Sequence, residues 1–142
     1  MRLTRRYLFS ASHRLHAPGL SDERNRELYG KCNNPFGHGH NYVLAVSVDG
    51  PVEERTGMMV SVAALDRLVE RSVLRGYHHR NMNTEIPAFA SVVPTTENVA
   101  VEIRDRLLAR WREAFPAGRP SLSAIRLYET RKNIVELSGS PE

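Results

Sequence analysis

Cysteine is nearly absent from this chain of 142 residues, and Cys32 is the only one. One thiol excludes an intramolecular disulfide framework and agrees with a reducing compartment. Long apolar runs are missing as well, and none approaches the roughly 20 residues a membrane helix needs. The N-terminal stretch MRLTRRYLFSASHRL is basic, but it alternates apolar with polar residues where a signal peptide has a continuous core, so a cytoplasmic location is expected. Lysine is scarce: only Lys31 and Lys132 are lysines among 20 basic residues, and the rest are arginines in no run longer than Arg5-Arg6. With a net charge of +4 and a pI near 9.6, such scatter argues against nucleic-acid binding, whereas guanidinium forks suit an anionic small molecule. Internal repeats and low-complexity segments are also missing. The chain reads as one domain, residues 1–142, long enough to bury about two-thirds of the surface it exposes when unfolded.

What is present is patterned. Residues 2–13 alternate, with Leu3, Tyr7, Phe9 and Ala11 on one side and His13 in the same phase, which predicts a half-buried strand. A polar loop, APGLSDERNRELYGKCNNPFG, follows. Residues 38–49 predict a second strand carrying His38, His40, Tyr42, Leu44, Val46 and Val48 on one face. SVAALDRLVERSVLRG places Leu65, Leu68, Val69 and Val73 on one helical stripe, with Gly76 as its stop. A loop punctuated by Pro87 and Pro94 leads to a second helix, TTENVAVEIRDRLLARW, with Thr96 as N-cap and Glu97 in the favourable first turn. SAIRLYET and NIVEL predict two closing strands around a turn near Arg131-Lys132. The order ββααββ predicts an α+β domain, a four-stranded antiparallel sheet with two helices on one face.

The stretch GKCNNPFGHGHNY concentrates the chemistry. Residues i and i+2 of a strand point the same way, so His38 and His40 present two imidazoles together. Gly37 and Gly39 leave room beside the backbone for an ion and a substrate. His13 is the natural third ligand if the first two strands pair. Three imidazoles with an open fourth position describe a catalytic zinc site, and nitrogen ligands favour zinc over magnesium or calcium.

Cys32 admits three readings from its residue type and neighbours: a small buried hydrophobe, a fourth metal ligand, or a thiolate made acidic by Lys31. A thiolate that moves protons needs a partner, and the pair His78-His79 is the other histidine cluster. Glu97 and Glu129 are the carboxylates of interest, one at a helix start and one at a strand end. His16 has no such context and reads as a surface residue.

Taken together, SASHRL, GKCNNPFGHGHNY, TGMM, TTENVAVEI and YETRKNIV resemble the 6-pyruvoyltetrahydropterin synthase family over nearly the whole chain. The related 6-carboxytetrahydropterin synthases of queuosine biosynthesis usually have a shorter approach to their His-Gly-His segment, so CNNP leans toward the pyruvoyl type. The resemblance implies a tunnelling fold (T-fold) in which sheets join into a trimeric barrel and two trimers stack as a homohexamer. It implies 7,8-dihydroneopterin triphosphate as substrate and a carbon–oxygen lyase reaction of pterin biosynthesis, on a substrate that tetrahydrobiopterin, queuosine and folate-type routes share. By motif position it implies zinc on His13, His38 and His40, Cys32 as catalytic proton acceptor and His79 as relay histidine. Glu129 would anchor the pterin's guanidine-like edge and count with the relay, and Thr95, Thr96 and Glu97 would line the same pocket. Arg14 and Lys31 are candidates to meet the triphosphate.

One position departs from that pattern. The family usually has Asp-His where this chain has His78-His79, and an aspartate would orient the histidine with a full charge. The alternatives are a carboxy-type enzyme on the same substrate and, favoured by the His78 departure, a pterin-binding homologue with a weakened relay. A basic nucleic-acid module ranks behind both.

Overall fold

A computed structural model describes residues 1–140 of the chain. Two long strands dominate it, β1 (Arg2–His13) and β2 (His38–Asp49). They pair antiparallel along their whole length, from Arg2 opposite Asp49 to His13 opposite His38. The alternation fixes this register, because a one-residue slip would turn every apolar side chain to solvent. Phe9, Tyr42, Leu44, Val46 and Val48 all lie on the buried face. Phe9 and Tyr42 stack across the strands with ring centroids 5.0 Å apart. Each such buried side chain contributes about 1.5–3 kcal/mol.

The helices cover this face. Helix α2 (Val62–Val69) starts at Ser61, whose hydroxyl accepts the Ala64 amide. It runs through a π-helical segment (Glu70–Leu74) into the short α3 (Arg75–Tyr77), so the helical path passes the predicted stop at Gly76. Helix α5 (Thr96–Ala114) buries Val99, Ala100, Ile103, Leu107 and Trp111. Its N-cap is Thr95, whose hydroxyl accepts the Asn98 amide, and Thr96 is the first helical residue and not the expected cap.

The sheet departs from the expected four antiparallel strands. It has five, in the order β3-β1-β2-β4-β5, with β4 (Ser121–Tyr128) and β5 (Ile134–Ser138) closing one side. The two-residue β3 (Arg80–Asn81) pairs parallel with Ala11 and Ser12, making the sheet mixed. Two residues are too short to show an alternation. The predicted polar loop also contains a helix, α1 (Asp22–Tyr29), and it is followed by the 3-10 turn Gly30–Asn33. Ser21 caps α1, Asp22 and Glu23 occupy its first turn, and Gly30 ends it at φ +56°. No apolar stripe announces this helix, because its anchor is polar. Asn25 is fully buried, donates to the carbonyls of Ala17, Leu20 and Ser21, and accepts the Ala17 amide. A further short helix, α4 (Met82–Glu85), follows β3. No helix among the described residues is long and apolar enough to cross a membrane.

Candidate metal centre and its surroundings

The pairing of β1 with β2 assembles the site. His13 faces His38 across the strands, and His40 lies opposite Ala11 on the same side. The ligand atoms of His13, Cys32, His38 and His40 all lie within 4.8 Å of one another. His40 Nε2 is 3.1 Å from His13 Nε2 and 3.1 Å from His38 Nε2, while Cys32 Sγ is 3.1 Å from His38 Nε2.

Hydrogen-bond accounting shows why this cluster could hold a cation. The Pro94 carbonyl can only accept, so His13 Nδ1, 2.9 Å away, carries the hydrogen, and Nε2 of the neutral ring presents a lone pair to His40. Burial lowers the His13 pKa, and the Pro94 carbonyl and Glu129 oppose that shift without reversing it. His40 is pulled the same way, again by burial first. A proton on His40 Nε2 can serve only one of its two neighbours, and without that proton its lone pair faces that of His13. A metal ion shared by the three nitrogens removes that conflict, and the donor set fits one.

Gly37 is tighter than the sequence suggests. Its φ is +72°, and a Cβ there would sit 2.8 Å from the His13 carbonyl oxygen. The glycine is needed for close backbone approach, and it does not open space for a ligand.

Glu129 is buried, not solvent-exposed as a strand-end carboxylate would ordinarily be. It accepts the Thr96 hydroxyl, and its other oxygen lies 3.4 Å from the Asn133 side-chain amide and 3.8 Å from His40 Nε2. Asn133 also reaches the Thr96 hydroxyl at 3.3 Å. The turn between β4 and β5 therefore returns Asn133 beneath the carboxylate, a role its position in RKNIV does not announce. Thr95 spends its hydroxyl on the helix cap, and Glu97 is exposed in the first turn.

Cys32 belongs to the 3-10 turn, stitched to the end of β1 by the Leu15 amide donating to its carbonyl at 2.7 Å. Burial pushes its thiol pKa up, and the Glu129 carboxylate adds to the rise, opposite to the lowering expected from Lys31. His16, read as a surface residue, lies half-buried with its Nδ1 3.1 Å from the Asn33 side-chain amide.

His78 and His79 stand apart from this cluster. His79 lines a cavity of about 430 Å³ with Ser10, Ser12, Asn41, Arg80 and Glu85, and His40 of the cluster reaches the same cavity. Its φ is +60°, its amide donates to the Ser10 carbonyl, and its ring stacks on His78 with centroids 3.7 Å apart. Within one chain, then, Cys32 lies among the ligand atoms of the histidine cluster, and His79 shares a cavity wall with His40 but not with Cys32.

The family model described as 6-pyruvoyl tetrahydropterin synthase matches residues 2–140. The chain belongs to that family. A 6-pyruvoyl tetrahydrobiopterin synthase of Poecilia reticulata is 47% identical over 137 residues, covering 96% of this chain and 89% of the relative. The structure of the Caenorhabditis elegans 6-pyruvoyl tetrahydropterin synthase superposes with a TM-score of 0.88 at 38% identity, covering 99% of this chain and 96% of that one. A 6-carboxy-5,6,7,8-tetrahydropterin synthase of Rickettsia conorii is more distant, 23% identical over 152 residues, covering 96% of this chain and 99% of the relative. The two-to-one gap in identity separates the pyruvoyl and carboxy types for this chain.

Proposed function

We propose that the protein is a zinc-dependent 6-pyruvoyltetrahydropterin synthase that eliminates triphosphate from 7,8-dihydroneopterin triphosphate and tautomerises the side chain. The single observation that carries this reading is the convergence of His13, His38, His40 and Cys32 in a family member so close to pyruvoyl-type enzymes. Zinc would be held by His13, His38 and His40. The N···N edge of a tetrahedral zinc site is about 3.3 Å for zinc–nitrogen bonds of about 2.0 Å, close to the two 3.1 Å separations here. Bound there, the ion would supply a Lewis acid beside the substrate's side-chain oxygens.

The protein's own groups do the rest. Glu129 takes the guanidine-like edge of the pterin ring, held in place by Thr96 and Asn133. Thr95 and Glu97 border that pocket from the start of α5. Cys32, as thiolate, takes a proton from a side-chain carbon. The C–H electron pair becomes a carbon–carbon double bond, and the adjacent C–O bond breaks, so triphosphate leaves with its pair. Tautomerisation then carries hydrogens from the side chain to the ring, with no external oxidant or reductant. His79 exchanges protons with this system from a neighbouring subunit of a homohexamer, a placement supported by the absence of Cys32 from the walls of the cavity that His79 lines.

A specific observation favours one second reading: Cys32 Sγ is as near to His38 as the histidines are to each other, so the thiol could close the metal's coordination. A closed site would be structural, and the protein would bind pterin without turning it over. Incubating zinc-loaded protein with 7,8-dihydroneopterin triphosphate and identifying products by mass spectrometry decides the matter. A 6-pyruvoyl product supports the proposal, a 6-carboxy product moves the protein to the other branch, and unchanged substrate supports the binder.

A further inference from the structure

A second cavity, of about 310 Å³, is lined by the residues on either side of Cys32 in its turn. Three cations line it from three elements: Arg14 just after β1, Arg26 on α1 and Lys31 in the turn itself. Asp22 is the one carboxylate on its wall, and Asn33 and Asn34 complete the polar lining. Among the described residues none of the three cations is in an ion pair, whereas neighbouring Arg24 pairs with Glu27. Like charges gathered without partners repel, so the arrangement is better satisfied by an anion than by solvent alone.

The cavity is built and not a chance meeting of long side chains. Asn83 clamps the Arg14 backbone from both sides, accepting its amide at 2.7 Å and donating to its carbonyl at 2.9 Å. Arg14 Nε donates to the Asn33 carbonyl at 3.2 Å, which fixes the guanidinium stem and leaves its terminal nitrogens for a ligand. Asn33, buried, donates to the Leu15 carbonyl at 2.7 Å. Those bonds, with that of Leu15 to Cys32, make the turn, the end of β1 and the thiol one unit. Arg14 directly follows the metal-cluster residue His13, and Lys31 and Asn33 flank Cys32.

The geometry points to this cavity as the seat of the substrate's triphosphate, with Arg26 as a binding residue that the sequence motifs do not single out. The inference rests on the proposed function, and the chemistry of that reaction sets the distance. The leaving triphosphate is bonded to the carbon next to the one that loses its proton. A base at Cys32 therefore places the first phosphate within a few bonds of the thiol, and the others extend outward. Lys31, one position before Cys32, and Arg14, bonded to the carbonyl of Asn33 one position after it, meet that requirement. Three cations there hold the triphosphate's negative charge in the bound substrate as well as in the leaving group.

The experiment measures binding of inorganic triphosphate and of phosphate-free 7,8-dihydroneopterin by calorimetry, beside steady-state kinetics on the full substrate. It uses zinc-loaded wild type, Arg26→Ala, Arg26→Lys and Arg26→Glu. Arg26 is exposed on α1, so these variants keep the fold. Arg26→Ala weakens inorganic triphosphate and raises KM about tenfold, with a smaller effect on kcat. Arg26→Lys recovers part of the loss, Arg26→Glu deepens it, and dihydroneopterin affinity stays the same. Unchanged triphosphate affinity and KM in Arg26→Ala and Arg26→Glu would overturn the inference. Its failure is distinct from failure of the proposed function, in which wild type forms no product whatever its affinity for inorganic triphosphate.

Discussion

The Ser10 amide donates to His78 Nδ1 at 3.0 Å, so the histidine standing where an aspartate was expected is tied to β1. That bond places the His78 ring hydrogen on Nε2, and the ring then stacks on His79 at 3.7 Å. His78 thus orients its neighbour by position and stacking, without the full charge a carboxylate would bring. His78→Ala should lower kcat about tenfold with little change in KM, while the denaturation midpoint moves only slightly. His78→Asn, whose amide oxygen can accept the Ser10 amide, should recover part of the rate. An unaltered kcat in His78→Ala would show that His79 needs no such support.

The buried carboxylate gives a second prediction. Thr96→Val removes the hydroxyl donated to Glu129 and keeps the shape, leaving the carboxylate short of a partner. The expected cost is about 1–3 kcal/mol, read from the urea midpoint, together with weaker dihydroneopterin binding. Thr96→Ser should restore both. A stability equal to wild type in Thr96→Val would mean that Asn133 alone suffices.

How much of this was legible follows from period and length. A two-residue period carried over twelve residues made β1 and β2 readable to the residue, and with them the common face of His13, His38 and His40. Glu129 was readable as a motif position, but its burial was not, because Thr96 and Asn133 reach it only through the packing of α5 against the β4–β5 turn. Helix α1 escaped because Asn25, not an apolar stripe, anchors it. Its cap Ser21 and terminal Gly30 were the signals that could have found it. Two adjacent threonines offered two caps, and the choice of Thr95 frees Thr96 for Glu129. The placement of His79 beside Ser10 and Ser12 depends on the parallel β3, which no two-residue pattern reveals.

Gly37→Ala tests the backbone around the cluster. The added methyl group must push the His13 carbonyl from 2.8 Å while the residue stays at φ +72°. The variant should lose about 1–3 kcal/mol of stability and bind metal about tenfold more weakly in chelator competition. Wild-type metal affinity would show that the strand ends can move without disturbing the ligands.

Metal removal should register in the melting temperature. An ion present at a thousand times its Kd stabilises the fold by about 4 kcal/mol. For a domain of this size that amounts to about 10–15 °C in Tm. Chelation should lower Tm by that order, and zinc should restore it in wild type but not in His40→Ala. An equal response in His40→Ala would place the ion elsewhere.

The most direct test of the account is to measure zinc content and turnover together in Cys32→Ala. If the three histidines hold the metal and the thiol faces the substrate, the variant keeps one zinc per chain and forms no 6-pyruvoyl product. Loss of zinc would make Cys32 a ligand of a closed site, and retained turnover with zinc bound would remove it from the chemistry; either result contradicts the account.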